Sequence, residues 1–235
     1  MEPQELQKQA SSVGALAEPT RLALYRYVAG AAAPVSREQA AAAEDLPLHS
    51  VKFHLDRLVS EGLLEVEYRR LTGRTGPGAG RPSKLYRRAA RQVAVSLPER
   101  RYDLAGEVLA TAVDESAREG TPVAQSVHEV AHATGVRIAG NQASPRRERR
   151  ATRTAGLVEV LAGHGYEPRL VDGDVCLTNC PFDRLAAEHT ELVCGMNLAL
   201  VEGVIDGLHL ESMRARLDPQ AGFCCVKVAT GPRRG

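Results

Sequence analysis

The sequence predicts an α+β fold, and three features support that prediction. Residues 48–61 have the apolar period of an amphipathic helix, and two strand-like segments joined by a basic loop follow them. Further helical patterns cover residues 102–119 and 122–136. Near the carboxyl end, the Asp-Gly-Asp at residues 172–174 separates two strand-like segments, which is a strong hairpin signal. Helices and antiparallel strands thus occupy separate stretches, which favours α+β over an alternating α/β fold.

Length and charge bound the possible functions. The 235 residues suffice for one or two domains, and the 43% hydrophobic content suffices for a packed core. The net charge is only +1, so any affinity for nucleic acid must come from local clusters of basic residues. No apolar run is long enough to span a bilayer and no secretory leader is recognisable, so we expect a soluble, cytoplasmic protein without membrane association.

The segment at residues 46–88 organises the first part of the chain. Val51, Leu55 and Leu58 recur at i, i+4 and i+7, which predicts the buried face of a helix. The other side carries side chains that can reach bases or phosphates, namely His49, Ser50, Lys52, Phe53 and Arg57. Gly62 stands where this helix needs a C-cap, and the residues after it predict a strand.

A basic loop follows between the two predicted strands. Residues 66–91 contain eight Arg or Lys residues and a single acid, Glu67. The glycine-rich tip carries Arg74 and Arg81, and Arg in such a loop can enter a narrow minor groove. The order helix, strand, loop, strand predicts a recognition helix with a β-wing; the alternative is a solvated charged hairpin.

Two motifs in this region resemble the ArsR-type winged helix-turn-helix repressors. They are EPTR at residues 18–21, which opens a helix, and VKFHLDRLVSEGLL at residues 51–64. The resemblance implies a DNA-binding module that works as a homodimer. The two-fold symmetry of such a dimer matches an inverted-repeat operator in double-stranded DNA. The candidate DNA contacts are His49, Ser50, Lys52, Phe53, His54 and Arg57 on the helix, and Arg74, Arg81 and Lys84 on the wing.

The chain is expected to have three parts. Residues 1–95 form the winged helix-turn-helix domain, residues 96–150 a helical linker and dimerisation region, and residues 151–235 a cysteine-containing sensor domain with a small antiparallel sheet and helices. In the middle part, His128 and His132 have the i, i+4 spacing of metal ligands. Packing or surface histidines are the favoured interpretation of this pair.

All five cysteines lie after residue 175, and they are Cys176, Cys180, Cys194, Cys224 and Cys225. An odd number clustered in one half of a leaderless chain argues against a disulfide framework and for metal or redox chemistry. Cys180 follows a predicted strand, and Cys194 is expected to open a helix. The Cys224-Cys225 pair is expected on a strand with Cys224 facing inward, because Cys224 is in phase with the apolar residues that follow.

Three cysteine motifs resemble the SufR-type repressors, in which a cysteine-containing domain that binds an iron–sulfur cluster follows a winged helix. They are NCPF at residues 179–182, ELVCGMNL at residues 191–198 and CCV at residues 224–226. The resemblance implies that Cys180, Cys194 and one or both of Cys224 and Cys225 hold an iron–sulfur cluster, expected as [4Fe–4S]. It further implies a repressor that acts as a redox sensor. This chain departs from the pattern in the loop between Cys194 and Cys224, which has no intervening cysteine. The fourth ligand position is therefore open to His189, Asn179, Cys176, solvent or a partner.

Other interpretations of the cysteines stay open. Zinc is less favoured, because only Cys176 and Cys180 approach the close pairing of a zinc site. The C-terminal domain is otherwise a thiol-oxidation switch or a pocket for an organic ligand, or its cysteines serve only as small hydrophobic residues. An enzyme with Cys194 as nucleophile and His189 as base lacks a third orienting group, so we expect no enzymatic activity.

Overall fold

The structure is a computed structural model, and it describes residues 3–70, 82–140 and 150–230. The chain divides into two compact units, Glu2–Val95 and Ser96–Gly235. Each unit has its own cluster of buried apolar side chains. A separate hydrophobic core in each unit is what independent folding domains require.

The first unit combines helices with a small antiparallel sheet. Its described elements are α1 (Pro3–Ala15), α2 (Pro19–Gly30), β1 (Val35–Ser36), α3 (Arg37–Ala43), α4 (Leu48–Ser60), β2 (Leu64–Arg69) and β3 (Ser83–Arg88). The strand order is β1-β3-β2, and both pairings are antiparallel. The strands expected on either side of the basic loop are therefore paired with each other.

Side-chain caps fix where α2 and α3 begin. The Glu18 carboxylate accepts the backbone N–H groups of Thr20 at 3.0 Å and Arg21 at 2.7 Å. At α3, Ser36 and Gln39 form a capping box, in which each side chain accepts the other residue's backbone N–H. The EPTR motif is thus a helix start whose glutamate satisfies two otherwise unpaired donors.

Helix α4 is amphipathic as predicted. Val51, Leu55 and Leu58 are each 0% exposed and lie in the core of the first unit, which confirms the predicted inward face. Gly62 has φ +71° just after the helix, a conformation that favours glycine. The buried face and this C-cap together orient α4 with its polar side outward.

The second unit places helices around a four-stranded sheet. Its described elements are α5 (Tyr102–Glu119), α6 (Val123–Gly140), α7 (Arg150–Ala162), β4 (Pro168–Val171), β5 (Asp174–Leu177), α8 (Asp183–Glu188), α9 (Thr190–Gly207), β6 (Arg214–Leu217) and β7 (Val226–Ala229). The strand order is β4-β5-β7-β6, with antiparallel neighbours throughout. Helices with small antiparallel sheets confirm the α+β class.

Helix α9 is the central helix of the second unit, and glycines bring it close to α6. A Cβ atom on Gly203 would lie 2.0 Å from the His132 carbonyl oxygen, and one on Gly135 would lie 2.1 Å from the Leu200 carbonyl oxygen. Only glycine permits so close an approach of two helix backbones. Helices α5 and α6, which fall in the region expected to be a linker, contribute side chains to the same core as the sheet.

The sheet of the second unit has two different faces. The residues turned towards the core are Val175, Leu177, Val226 and Val228, each 0% exposed. Cys176 and Lys227 are paired across β5 and β7 and alternate with those residues, so they lie on the opposite face. The face of β5 that carries Cys176 is therefore not the face that meets the apolar core.

Strand β6 begins at Arg214, and a short connection leads to it from the end of α9. His209 has φ +55°, and the Leu210 N–H donates to the Ile205 carbonyl at 3.0 Å. Residues 208–213 thus form a turn that satisfies the last carbonyls of α9. None of the helices in the described ranges combines the length and apolar character needed to cross a bilayer.

Two predicted cysteine positions were wrong in detail. Helix α9 begins at Thr190, so Cys194 lies in its second turn and does not open it. Strand β7 begins at Val226, so Cys224 and Cys225 precede the strand. Both residues still bond to neighbouring backbone outside the strand ladder, since the Cys224 N–H donates to the Leu177 carbonyl and the Cys225 carbonyl accepts from Asp218, each at 2.7 Å.

Candidate functional sites

The outward side of α4 carries most of the predicted DNA contacts. His49, Lys52, Phe53 and Arg57 are exposed, and Ser50 is half-buried. Phe53 is 66% exposed, which is unusual for a large apolar side chain on the surface. An apolar ring among basic and polar side chains suits contact with thymine methyl groups beside hydrogen bonds to base edges.

His54 differs from the other predicted contacts on α4. Its side chain is only 14% exposed, and its Nδ1 atom lies 3.5 Å from a Glu18 carboxylate oxygen. Its ring meets the Phe53 ring edge-on, with 5.4 Å between the centroids. The structure therefore places His54 against the start of α2 and beneath the exposed Phe53.

Two of the predicted DNA contacts, Lys84 and Arg57, form ion pairs with acidic side chains. Lys84 Nζ lies 2.5 Å from an Asp56 carboxylate oxygen, and Arg57 Nη2 lies 2.5 Å from Glu61. Desolvation acts to raise the pKa of Asp56, but the hydrogen bond and charge of Lys84 lower it below its ordinary value. To contact a DNA phosphate, Lys84 or Arg57 would have to leave its carboxylate partner. Arg74 and Arg81, the predicted contacts in the loop tip, lie outside the described residues.

Four of the five cysteines meet in one cleft of the second unit. Cys180 lies in the turn between β5 and α8, Cys194 in the second turn of α9, and Cys224 and Cys225 just before β7. Together they line an open cleft of ≈ 380 Å³. Three segments far apart in sequence thus bring together all four predicted cysteine ligands.

The four thiols also interact with one another. Interaction with the neighbouring Cys180 and Cys225 thiols lowers the pKa of Cys224, aided by the Val226 backbone N–H and opposed by burial. The same interaction with Cys224, together with burial, raises the pKa values of Cys180 and Cys225. Cys194 also contributes to the raised pKa of Cys225, and negative charge is therefore favoured on Cys224 over Cys180 and Cys225.

A buried amide supports this charge. Asn197, three residues after Cys194 on α9, is 1% exposed, and its Nδ2 atom lies 3.2 Å from the Cys224 sulfur. Its Oδ1 atom accepts a hydrogen bond of 2.5 Å from the Tyr166 hydroxyl. Burial raises the pKa of Tyr166, so this hydroxyl keeps its proton and serves as the donor.

The turn that carries Cys180 is fastened to the beginning of the second unit. Arg100 donates to the Asn179 Oδ1 atom and, at 3.0 Å, to the Cys180 carbonyl. Asn179 Nδ2 donates to the Glu99 carbonyl at 2.9 Å, and the Arg101 N–H donates to the Pro181 carbonyl at 3.0 Å. These hydrogen bonds tie residues 99–101 to the Cys180 turn.

The other candidate fourth ligands lie elsewhere. Cys176 is on the opposite face of the sheet, both ends of the Asn179 amide are already hydrogen-bonded, and His189 lines a different cleft. The His128 and His132 pair, which has the H-E-x-x-H spacing through Glu129, is a separate feature, and its His132 Nε2 lies 2.9 Å from an Asp206 carboxylate oxygen. In the described part of the chain, no three His, Cys, Asp or Glu side chains are arranged to hold a metal ion.

Sequence reasoning missed the polar residues that surround the thiols. Asn197 is a polar residue in an otherwise apolar stretch of α9, and that contrast was the available signal. Arg100 gave no signal of its own, because a basic residue in a segment expected to be a linker is ordinarily solvated. Its partners lie about 80 positions further on, a separation that local patterns do not reveal.

Comparison with known protein families supports the assignment of the first unit. A family model described as a helix-turn-helix domain matches residues 16–67, which include α2, α3 and α4. Comparisons with curated proteins and with solved structures gave no match. The match and the exposed polar face of α4 agree, so the chain carries an N-terminal helix-turn-helix domain of the kind by which transcriptional regulators bind DNA.

Proposed function

We propose that this protein is a transcriptional repressor whose affinity for its operator is switched by an iron–sulfur cluster. Cys180, Cys194, Cys224 and Cys225 would hold the cluster, with Cys225 supplying the fourth ligand that the sequence left open. The carrying observation is that these four thiols, from three separate segments, line one cleft. Thiolates are the ordinary ligands of [4Fe–4S] clusters, which supply a redox-sensitive group when bound.

The fit of the residues to such a cluster rests on the donor set. All four side chains are thiols, and the cleft that they line is open to entry of a group from solvent. The Cys224 charge and the Asn197 amide beside it suit a metal-bound sulfur, which is deprotonated and accepts hydrogen bonds. Because no metal-ion coordination set is preformed in the described residues, the proposal depends on this chemistry and on the cleft.

A route for the signal begins at the Cys180 turn. Residues 99–101 directly follow the segment that leaves the first unit, and they are hydrogen-bonded to residues 179–181. A change in the ligation of Cys180 would move this turn and with it the segment that joins the two units. We propose further that the protein acts as a homodimer, in which such movement would alter the distance between the two α4 helices and hence the fit to an inverted-repeat operator.

The test is an absorbance spectrum with iron and sulfide analysis of the full chain purified without oxygen. The expected result is a brown protein with broad visible absorbance that is lost in Cys194→Ser. Cys176→Ser is the matched control, because Cys176 is also a buried thiol of the same unit but lies outside the cleft. A colourless protein, or equal loss of the cluster in both variants, would refute the proposed site.

The second part of the test concerns DNA. A duplex selected by the protein from random sequences is titrated with cluster-loaded and cluster-free protein at one salt concentration, since protein–DNA affinity depends strongly on salt. We expect the two affinities to differ and the selected sequences to be inverted repeats. Equal affinities would leave a DNA-binding protein whose cysteines do not regulate it.

One observation favours a second candidate, a thiol-oxidation switch. The Cys224 sulfur is stabilised as a thiolate and has thiols from Cys180 and Cys225 beside it. Hydrogen peroxide could oxidise a thiolate and a thiol of this group to a disulfide: the two sulfurs give up two electrons, the thiol gives one proton and solvent another, and peroxide is reduced to two molecules of water. A colourless protein that forms a Cys180–Cys224 disulfide on peroxide treatment, with altered DNA affinity, would favour this candidate.

A further inference from the structure

The hydrogen-bond chain from Tyr166 to Cys224 is shielded from solvent. Tyr166 is 3% exposed and Asn197 is 1% exposed, so water does not compete for either group. The chain has a direction, because the Tyr166 hydroxyl donates to Asn197 Oδ1 and thereby turns the amide nitrogen towards the sulfur. Linked donors of this kind polarise one another and strengthen the final N–H···S contact.

This arrangement is more specific than packing alone requires. A leucine has nearly the shape of asparagine and would suit the apolar surroundings of α9 at lower desolvation cost. Hydrogen bonds to the sulfur ligands of an iron–sulfur cluster are among the features that set its reduction potential. A donor stabilises the sulfur more as its negative charge grows, and this charge is larger in the reduced form.

We propose that Asn197, oriented by Tyr166, is a positioning residue that raises the reduction potential of a cluster bound at Cys224. The inference rests on the proposed cluster site and adds to it the feature that sets the redox threshold of the sensor. Uptake of one electron by the oxidised cluster increases the negative charge on its sulfur ligands, and the Asn197 amide favours that state.

The experiment is a potentiometric titration of the cluster-loaded full chain, with dithionite as the reductant and absorbance as the readout. In Asn197→Leu the donor is removed, and the midpoint potential should become more negative. The expected change is about a tenfold weaker reduction equilibrium, which corresponds to about 59 mV for a one-electron couple. Resonance Raman bands of the iron–sulfur bonds should shift in the same variant.

Two further variants separate tuning from a structural role. Ile205→Ala removes another buried side chain of α9, about two turns from Asn197, and should lower stability without changing the potential. Tyr166→Phe keeps every thiol and the amide donor but removes the group that orients the amide. It should shift the potential in the same direction as Asn197→Leu and by less.

The outcomes distinguish the inference from the proposed function. If the wild-type protein holds no cluster, the proposed function fails and the inference fails with it. If the wild type holds a cluster and both Asn197→Leu and Tyr166→Phe keep its potential, the inference alone is overturned. Should Asn197→Leu fail to load, the titration of Tyr166→Phe decides, and an unchanged potential there also overturns the inference.

Discussion

Helices α4 and α9 carry the two candidate sites, and they do so in opposite ways. α4 buries one stripe of three residues and presents its polar side outward. α9 is buried on nearly all sides, and its site residues Cys194 and Asn197 are themselves buried. A function on an exposed face is separable from stability, whereas a function inside a core shares its residues with the packing that forms the fold. Substitutions on α4 should therefore lower DNA affinity, whereas substitutions on α9 should lower stability.

The largest effect should come from the close crossing of α6 and α9. In Gly203→Ala the new Cβ atom would lie 2.0 Å from the His132 carbonyl oxygen, so the two helices must separate. We expect a loss of about 3 kcal/mol in the free energy of unfolding, the upper end for overpacked sites. Denaturant unfolding followed by circular dichroism measures this loss, and the unfolding transition of the second unit should move to lower denaturant concentration.

Gly106→Ala is the matched control for this substitution. Gly106 lies in the exposed part of α5, and a Cβ atom there meets nothing within 4 Å. Alanine is the better helix former, so stability should rise by about 0.5–1 kcal/mol. Equal effects of the two substitutions would mean that the helix crossing is looser than the structure shows.

On α4 the expected effect falls on DNA affinity and leaves folding unchanged. Phe53→Ala removes an exposed ring, and we expect the selected operator to bind about 10-fold to 100-fold more weakly, which is about 1–3 kcal/mol. Lys52→Ala should lower the slope of log affinity against log salt by about 1 if Lys52 contacts phosphate. Lys8→Ala removes an exposed charge on α1, outside the predicted DNA contacts, and is the control for a general charge effect. A large loss of thermal stability in Phe53→Ala would contradict the separation drawn between the two helices.

The same contrast explains what could be predicted from the sequence. The buried face of α4 is predicted by the spacing of Val51, Leu55 and Leu58, because apolar residues at that spacing lie on one side of a helix. The start of α3 follows equally from Ser36. The surroundings of the thiols do not, because the contact between Asn197 and Cys224 joins residues 27 positions apart, and an apolar helix carries no periodic signal for which side meets which neighbour. The strand limits near Cys224 were missed for a related reason, since the backbone there bonds outside the regular ladder.

Arg100 tests whether the interior site communicates with the exposed one. Arg100→Ala removes the hydrogen bonds to Asn179 and to the Cys180 carbonyl while leaving all four thiols in place. We expect normal cluster content but a difference in DNA affinity between loaded and cluster-free protein that is reduced about fivefold, near 1 kcal/mol of coupling. Arg118→Ala is the control, since Arg118 is an exposed residue on α5 that donates to the Asp114 carbonyl of its own helix. An unchanged difference in Arg100→Ala would place the signal on another route.

The smallest effect should be a pH-dependent one in the first unit. The pKa of Asp56 is lowered in the folded protein, so its pair with Lys84 stabilises the fold above the unfolded pKa of about 3.9 and the contribution is lost as the pH falls through the folded value. Both side chains are more than one-third exposed, and solvent screening limits the pair to about 0.2–1 kcal/mol. Asp56→Asn should therefore lower the midpoint of thermal unfolding slightly at pH 7 and by less at pH 3, which lies below the unfolded pKa, so that part of the charge contribution has been lost. A difference of the same size at both pH values would show that Asp56 acts through its neutral hydrogen bonds, such as the 3.2 Å contact from the Tyr86 hydroxyl, and that charge contributes little beside α4.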